Sequence, residues 1–482
     1  MSSLIPQGGQ ISARRLAAML GSWRSSGSRQ GAADLAAAIE LQVLDGQLAV
    51  GTRLPAERQL AEELGTSRTL IGAAWDRLRE SGMVESRRGA GSWVAARRTG
   101  GLEPSLPEGV DAIDFTRASP SAASGIIPAL DIARVALADH LGEHGYSDRG
   151  LFVLRDRIAR RYTERGLPTT PDQVMITNGA HHGFVLALRM LAGPGDRVLV
   201  ENPSYPNALE AIRAAHAIPV PVALDAAGDQ GWDITGIEAA VRQSSPRLAY
   251  LVVDFHNPTG LRLGTEGRER LGSVLSRART PFVVDETLVE LDLGDDQAPP
   301  PLAAYAPEFA ITIGSSSKSH WGGLRIGWLR ASDDIITRLA SARFMIDLGS
   351  PVFEQLVLAE LLADPGSMLR GRREEFTANR DALVGALRWY CPEWSFRVPG
   401  GGLSLWCRLP EPMSTRLAVA AGTHGVQLVP AARFGAYGGL ERWVRLPYGL
   451  PPERLHEGVR RLSTAVRSIR AGAAGGVDLP VT

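Results

Sequence analysis

Apolar positions in the first 95 residues recur at helical spacing and then give way to a short alternating segment. Three stretches combine this spacing with start and stop residues: DLAAAIELQVLDG at 34–46, LPAERQLAEELG at 54–65 and TSRTLIGAAWDRLRESG at 66–82. MVESRRGAGSWVA at 83–95 predicts two strands around a glycine-rich turn. Three helices followed by a hairpin predict an N-terminal winged helix-turn-helix domain over residues 1–95.

The pattern changes after this unit. Residues 96–113 are rich in Gly, Pro and charge, and predict a linker. From 114 to 470 short apolar segments alternate with amphipathic helical ones, and the strand candidates are VMIT at 174–177, VLVE at 198–201, AYLVVDF at 249–255, FVVDE at 282–286 and AITIG at 310–314. This alternation predicts an α/β domain with a mostly parallel sheet. Residues 471–482 are expected to form a flexible tail.

Composition narrows the class of protein. The 482 residues are 44% hydrophobic and 22% charged, which is typical of globular proteins. Apolar runs such as LAYLVV fall well short of the roughly 18 residues that a membrane span needs. Because the N-terminal sequence also lacks the order of a secretory signal, we expect a cytoplasmic protein with no membrane partner. Cys391 and Cys407 indicate neither a disulfide framework nor a thiolate cluster, and no metal site is predicted.

Charge adds two observations. The 52 basic and 52 acidic residues cancel, but residues 1–98 contain 13 Arg against 9 Asp or Glu, a mild excess of positive charge that is compatible with nucleic-acid binding. The second observation is that Lys318 is the single lysine of the chain. Arg can supply charge and donors elsewhere, but an imine with a carbonyl cofactor requires an amine that can lose its proton. Lys318 is therefore a candidate for that chemistry.

Candidate chemistry is concentrated where the predicted strands end. TNGAHHGF places the backbone N–H groups of Gly179, Ala180 and His181 at the start of a helix, where they can hold a phosphate. DFHNPTG offers Asn257 at a second strand end. VVDETLVEL offers Asp285 at a third, where a carboxylate needs a cationic or donor partner to be buried.

The loop GSSSKSHWGGLRIGW at 314–328 carries the remaining groups. It combines Ser315 and Ser317 with the amine of Lys318 and the guanidinium of Arg325. Two hydroxyls, an amine and a guanidinium in one loop suit a phosphorylated aldehyde.

The N-terminal segment GTRLPAERQLAEELGTSRTLIGAAWDRLRESGMVESRRGAGSWV resembles, without a gap, the DNA-binding domain of the GntR family of bacterial repressors. The resemblance implies contacts with double-stranded DNA from Arg58, from Ser67, Arg68 and Thr69 at the start of the third predicted helix, and from Arg88 and Gly89 in the wing. Gly72 stands where some members have another Arg, so the preferred DNA sequence is expected to differ.

The strand-end motifs, in their order and spacing, resemble the fold-type I aminotransferases that use pyridoxal 5′-phosphate. The resemblance implies that Lys318 forms an aldimine with the cofactor, that Asp285 pairs with its pyridine nitrogen and that Asn257 binds its ring hydroxyl. It further implies Tyr205 stacked on the ring; Gly179, Ala180, His181, Ser315, Ser317 and Arg325 on the phosphate; Tyr146 at a partner subunit's phosphate; and Arg445 on an effector carboxylate.

Two positions depart from the aminotransferase pattern. Thr287 stands two residues after Asp285, whereas the family often has a Tyr bonded to the ring hydroxyl shortly after that Asp; Thr287 is still included among the expected cofactor-binding residues. His181 and His182 stand where Gln is more usual, and a capping or packing role for these two is favoured over a catalytic one.

A GntR domain followed by an aminotransferase-like domain is the order found in the MocR family of bacterial transcription regulators. That resemblance implies a homodimer, arranged head to tail with exchanged domains, that binds DNA near its own or a divergent gene. Its effector is an amine, an amino acid or pyridoxal phosphate itself. The alternative is a working aminotransferase whose N-terminal domain is a relic or is autoregulatory.

Overall fold

The computed structural model describes residues 9–20, 23, 31–44, 48, 50–87, 91–95, 111–225, 231–294 and 298–474. These residues form two compact units. The first unit takes its residues from 1–114, 413–433 and 460–482, and the second from 115–412 and 434–459. Among the described helices there is none with both the length and the apolar character needed to cross a bilayer.

The N-terminal part of the first unit is a winged helix-turn-helix. Its elements are α1 (Ala13–Leu20), α2 (Gly31–Leu44), α3 (Glu57–Glu63), α4 (Arg68–Glu80), β1 (Val84–Arg87) and β2 (Gly91–Val94). The three predicted helices and the hairpin are confirmed, with β1 and β2 antiparallel. The pattern did not predict α1, and α3 is shorter than the predicted range because its first turn begins only after Pro55.

Helix α4 has one apolar and one polar face. Ile71, Trp75 and Leu78 are buried in a single cluster with residues of the other helices and β2. This spacing of three and four residues is that of one helical face. The opposite face leaves Arg68 and Thr69 exposed at the beginning of the helix.

The remaining elements follow in chain order. They are β3 (Ile113–Asp114), α5 (Ile126–Ala136), α6 (Phe152–Glu164), β4 (Val174–Thr177), α7 (Ala180–Leu191), β5 (Arg197–Asn202), α8 (Pro206–Ala214), β6 (Ile218–Ala223), α9 (Ile234–Ser244), β7 (Leu248–Leu251), α10 (Thr265–Arg277), β8 (Phe282–Asp285), β9 (Ala310–Ser315), β10 (Gly327–Arg330), α11 (Asp333–Arg343), α12 (Val352–Leu361), α13 (Gly366–Tyr390), β11 (Ser395–Phe396), β12 (Ser404–Arg408), α14 (Ser414–Thr423), β13 (Val426–Gln427), β14 (Trp443–Pro447) and α15 (Pro452–Ala474). In the first unit β3 pairs with β13 in parallel.

The second unit is built on a seven-stranded sheet of order β4-β10-β9-β8-β7-β5-β6. Only β10 runs antiparallel to its neighbours in this sheet, so the prediction of a mostly parallel sheet is confirmed. A smaller antiparallel sheet of order β11-β12-β14 completes the unit.

The central strands are buried on both faces. In β7, Ala249 and Leu251 belong to one hydrophobic cluster, whereas Leu248 and Tyr250 belong to the other. Side chains alternate between faces of a strand, so a strand covered on both sides is continuously apolar. This explains why five strands of this sheet, β4, β5, β7, β8 and β9, were visible in the sequence as short apolar runs.

One predicted strand is too long. The run at 249–255 was expected to be extended throughout, but β7 ends at Leu251. The backbone N–H of Val252 donates to the buried carboxylate of Glu201 (2.9 Å) instead of to a neighbouring strand. The chain turns there and delivers Asn257 beyond the strand end.

Candidate functional site

Five strands bring the predicted site residues to one edge of the sheet. Asp285 and Ser315 are the last residues of β8 and β9. Gly179, Tyr205 and Asn257 follow shortly after the ends of β4, β5 and β7. These strands are parallel, so their carboxyl ends lie at the same edge, where open α/β sheets bind ligands.

Lys318 lies in a short π-helical turn, Ser317–Trp321, that follows β9. Its Nζ donates to the backbone carbonyl of Ala118 (2.7 Å). Burial, assisted by the charge of Arg445, lowers the pKa of Lys318 to about 8, although Asp285 acts in the opposite direction. An amine with this pKa is partly neutral near physiological pH and can attack a carbonyl carbon.

Asp285 ends β8 and accepts three hydrogen bonds. Thr287 donates to Oδ1 from its backbone N–H (2.9 Å) and from its hydroxyl, and Tyr250 donates to Oδ2 from its hydroxyl (2.8 Å). The Asp285 charge also acts on Lys318, Tyr205 and His181, so the structure brings these predicted residues together. The structure places the Thr287 hydroxyl on this carboxylate.

Tyr205 and Asn257 lie on the loops beside Asp285. Burial raises the pKa of Tyr205, and the charge of Asp285 adds to the effect, so its hydroxyl is protonated at neutral pH. That oxygen accepts a hydrogen bond from the side-chain amide of Asn207 (3.0 Å). The Oδ1 atom of Asn257 is buried and has no hydrogen-bond partner among the described residues. A buried polar atom of this kind is costly unless a ligand group completes it.

The predicted phosphate-binding residues are adjacent. Arg325 Nη2 donates to the carbonyl of Asn178 (3.0 Å), and a Cβ atom added at Gly179 would lie 2.8 Å from that nitrogen. Gly179 has φ +90° and leads into α7, whose first backbone N–H groups lack partners within the helix. Ser315 and Ser317 are linked through their hydroxyl oxygens (3.1 Å). The backbone of Arg325 has φ +55°, a left-handed conformation that is strained for a non-glycine residue. Such strain is often found at functional residues.

Arg445 lies on β14 and is buried. Its Nη2 donates to the carbonyl of Thr116, and its guanidinium lies over the ring of Phe434 at 5.1 Å. Its charge lowers the pKa of Lys318, so the two cations are close enough to interact electrostatically.

Tyr146 lies in a surface loop, and His182 lies in the first turn of α7. Tyr146 is 64% exposed, and its ring stacks on His144 at 5.8 Å in a surface loop. His182 accepts a hydrogen bond from the N–H of Asn178 (3.0 Å) and lies 3.3 Å from Asp347, an arrangement that caps the start of α7. Burial lowers the pKa of both His181 and His182, so both rings are neutral at pH 7.

Four of the predicted DNA-contacting residues, Arg58, Ser67, Arg68 and Thr69, lie on the exposed surface of the winged helix. Ser67 caps α4 by accepting from the N–H of Leu70 (3.2 Å), and its hydroxyl hydrogen can still be donated outward. Arg68 pairs with Glu57 (3.3 Å), and Arg58 pairs with Glu62 (3.4 Å). The wing residues Arg88 and Gly89 lie outside the described residues.

Sequence reasoning missed three residues of the site. Tyr250 was visible as the one polar group in the apolar run AYLVV, and this was a usable signal. The pairing of its strand with the one that ends in Asp285 is known only from the structure. Thr116 and Ala118 contribute only their backbone carbonyls, to side chains 329 and 200 residues away. No residue type marks such a contact in a sequence.

Comparison with known proteins identifies two matching families. Residues 114–462 match the family described as Aminotransferase class I and II, and residues 32–94 match the family described as Bacterial regulatory proteins, gntR family. YisV of Bacillus subtilis, called an HTH-type transcriptional regulator, is 28% identical over 76% of this chain and 81% of its own length. MocR of Rhizobium meliloti, called a probable rhizopine catabolism regulatory protein, is 24% identical over 91% of this chain and 94% of its own.

A solved structure shows a similar fold. The α-aminoadipate aminotransferase LysN of Thermus thermophilus, in complex with N-(5′-phosphopyridoxyl)-L-leucine, matches with a TM-score of 0.68 and 30% identity. The match covers 75% of this chain and 93% of that protein. The chain belongs to the aminotransferase class I and II family and carries a gntR-family domain before it, which is the architecture of MocR-type transcriptional regulators.

The cofactor of this family is pyridoxal 5′-phosphate, and the site fits it. The amine of Lys318 is poised near pH 8, the buried Oδ1 of Asn257 lacks a partner among the described residues, and Gly179 leaves room beside Arg325 that a Cβ atom would fill. An amine, a polar ring contact and an anion cradle are the groups that a phosphorylated aldehyde requires.

Proposed function

We propose that this regulator holds pyridoxal 5′-phosphate on Lys318 and that occupancy of the site changes how its winged helices engage DNA. The cofactor supplies a carbonyl that Lys318 can bind covalently. Asp285 would hold the ring nitrogen protonated, Asn257 would contact the ring hydroxyl, and Tyr205 would stack on the ring. Gly179, Ala180, His181, Ser315, Ser317 and Arg325 would hold the phosphate. Thr287 would act through Asp285.

The effector class follows from Arg445. A buried guanidinium binds a carboxylate through two parallel hydrogen bonds, and such pairs are selective in geometry. The charge of Arg445 also acts on Lys318, so a carboxylate bound to Arg445 would lie close to the amine. We therefore propose an amino acid, or another amine with a carboxylate, as the effector. Pyridoxal phosphate itself is the effector if it alone changes DNA binding.

The observation that carries the proposal is a shared chain segment. Lys318 donates to the carbonyl of Ala118, and Arg445 donates to the carbonyl of Thr116. A cofactor on Lys318 and a carboxylate on Arg445 would each compete for these donors and release the segment. The segment continues along the chain into residues 96–113, the proposed linker, and so to the winged helix. Differential binding of this kind is what allows a ligand to shift a conformational equilibrium.

A homodimer is supported by an apolar surface of the second unit. Residues Ser147 and Gly349 form a parallel bridge, and around it Tyr146, Phe152 and Met345 are exposed. Met345 is 87% exposed, and large exposed apolar patches mark association surfaces. We propose that a second copy covers this surface, with Tyr146 reaching the partner's phosphate site and the DNA-binding domains exchanged head to tail.

The same proposal assigns the domains. We propose residues 1–95 as the DNA-binding domain, 96–113 as the linker and 114–470 as the cofactor-binding domain, a division supported by the family matches at 32–94 and 114–462. The expected start of the tail at 471 is too early, because helix α15 continues to Ala474. Arg58, Ser67, Arg68, Thr69, Arg88 and Gly89 would contact DNA near the protein's own or a divergent gene. A protein with these partners is expected to act in the bacterial cytoplasm.

A second candidate function is transamination. The 30% identity to an aminotransferase over 93% of that protein's length favours it, as does the joint presence of Lys318, Asp285 and Arg445. Multiple turnovers of an amino acid panel with an oxo-acid acceptor would support this candidate. A single turnover at most is expected for the regulator.

The cofactor assignment is tested by reducing the protein with borohydride after incubation with pyridoxal phosphate. Because Lys318 is the single lysine, one added phosphopyridoxyl group on its peptide is expected in the mass spectrum. Lys318→Arg keeps the positive charge but has no reactive amine, and should acquire no added mass. An unmodified Lys318 peptide in the wild-type protein would contradict the assignment.

A further inference from the structure

The carboxylate of Asp285 is held from both sides by groups outside the proposed set of cofactor contacts. A carboxylate has two oxygens with about four acceptor positions. Thr287 occupies both positions on Oδ1, and the hydroxyl of Tyr250 occupies one on Oδ2 at 2.8 Å. One position of Oδ2 remains for a further donor.

Tyr250 is a permanent donor to this oxygen. It lies on β7, the strand next to β8, and it is buried, with its ring 4.6 Å from that of Phe184. Burial, the charge of Asp285 and its hydrogen bond raise the pKa of Tyr250 well above the usual value, with Tyr205 and Glu201 adding smaller effects in the same direction. The hydroxyl is therefore protonated throughout the physiological range.

We propose that Tyr250 and Thr287 are positioning residues that fix the orientation of Asp285 and share its negative charge, leaving one defined Oδ2 position for the cofactor's ring nitrogen. This inference rests on the proposed cofactor site. It gives a role to Thr287 and to the hydroxyl of Tyr250, which reaches Asp285 from the neighbouring strand. Neither residue touches the reacting atoms.

The sharing of charge has a measurable consequence without any cofactor. Asp285 raises the pKa of Lys318, whereas burial, Arg445 and Arg325 lower it. A hydrogen bond to a carboxylate stabilises its charge and weakens its effect on nearby cations. Removing the bond from Tyr250 or Thr287 should therefore raise the pKa of Lys318 further.

The single lysine makes this titration unambiguous. Full-length protein labelled with ¹⁵N-lysine gives one side-chain signal, from Lys318, whose pH midpoint can be followed by NMR. We expect Tyr250→Phe and Thr287→Val each to raise that midpoint by about half a pH unit or more. Tyr448→Phe is the matched control, because Tyr448 is also buried and donates to a carbonyl, that of Gly401 (3.0 Å). Its midpoint should equal that of the wild type.

The second readout is the visible absorbance band of the protein loaded with pyridoxal phosphate. Tyr250→Phe and Thr287→Val should move the pH midpoint of this band upward. Without one of its hydrogen bonds, the negative charge of Asp285 stabilises nearby positive charge more strongly. If the wild type forms no band, the proposed cofactor site is wrong, and the NMR titration still decides the role of the two residues. Wild-type midpoints in both titrations for a folded Tyr250→Phe or Thr287→Val would overturn the inference. If Tyr250→Phe does not fold, Thr287→Val alone decides it.

Discussion

The two units hold their functional residues in opposite ways. In the winged helix, Arg58 and Arg68 have side chains that are 83% and 73% exposed, and their partners are surface glutamates. In the second unit, Lys318 and Arg445 are largely enclosed and donate to backbone carbonyls. Exposed ion pairs contribute at most about 1 kcal/mol, so in the proposed DNA complex Arg58 and Arg68 would exchange a carboxylate for a DNA phosphate at little cost.

The enclosed residues cannot exchange partners so cheaply. In the proposed function, a ligand on Lys318 or Arg445 would take a donor away from a carbonyl of the 116–118 segment. Leaving such groups unsatisfied costs free energy, so the surrounding segment has to rearrange. Under the proposed function, the winged helix would contact DNA with a surface that does not change, whereas the second unit would convert ligand binding into movement of a chain segment.

Trp75→Ala should have the largest effect, and it should abolish DNA binding without affecting cofactor binding. Trp75 is buried in the core of the winged helix, and removing its side chain is expected to cost about 3–5 kcal/mol in the stability of that domain. DNA binding should be lost, while the absorbance of the bound cofactor is retained. Trp389→Ala, at a tryptophan 78% exposed, is the control and should change neither. Loss of the cofactor band in Trp75→Ala would show that the units do not behave independently.

Arg445→Gln tests the enclosed carboxylate site. Phosphopyridoxyl-L-alanine and phosphopyridoxyl-ethylamine differ only by a carboxylate, and calorimetry can compare their affinities. The wild type should prefer the first by about 100-fold, in line with buried charge-assisted pairs. Arg445→Gln should remove most of this preference and leave the affinity for the ethylamine compound nearly unchanged. An equal preference in both proteins would place the carboxylate elsewhere.

The pH dependence of cofactor capture tests the environment of Lys318. The neutral amine is the nucleophile, and its pKa is lowered to about 8. Below pH 8 the neutral fraction, and hence the capture rate, should rise about tenfold per pH unit, levelling off above pH 8. Stopped-flow absorbance with pyridoxal phosphate measures this rate. A rate still rising tenfold per unit at pH 9.5 would mean that the amine is not buried among these charges.

Arg68→Ala should have the smallest effect and should concern DNA alone. Loss of one phosphate contact is expected to weaken binding by about tenfold and to reduce the dependence on salt by about one ion. The melting temperature should not change, because the pair with Glu57 is exposed. Arg77→Ala, on the same helix but in its last turn, is the control. If both variants bind DNA equally, the start of α4 is not the contacting surface.

The polar residues at the strand ends were easier to predict from the sequence than the full set of strands in the sheet. Asn257 and Asp285 could be placed because polar residues interrupt buried apolar runs, which is a local signal. Strand β6, with the sequence IPVPVA, was not predicted because two prolines disfavour a strand interior, and it lies at the sheet edge where proline is tolerated. Strand β10 was not predicted either, because it lies directly after the loop that carries Lys318 and Arg325.

The contacts that couple the site could not be predicted. The hydrogen bonds of Lys318 to Ala118 and of Arg445 to Thr116 depend on how distant parts of the chain meet in space. They involve backbone carbonyls, which every residue has. Likewise, the bond of Tyr250 to Asp285 requires the pairing of β7 with β8, and a sequence pattern alone does not specify which strands are neighbours.

The central claim is that occupancy of Lys318 changes the engagement of DNA, and footprinting tests it most directly. The full-length protein and its Lys318→Ala variant are compared on the DNA upstream of its own gene and of the divergent gene, each with and without pyridoxal phosphate. We predict that both proteins protect the same site without cofactor and that the cofactor changes the protection pattern of the wild type only. Protection by the wild type that is identical with and without pyridoxal phosphate, in protein shown to carry it on Lys318, would contradict the claim.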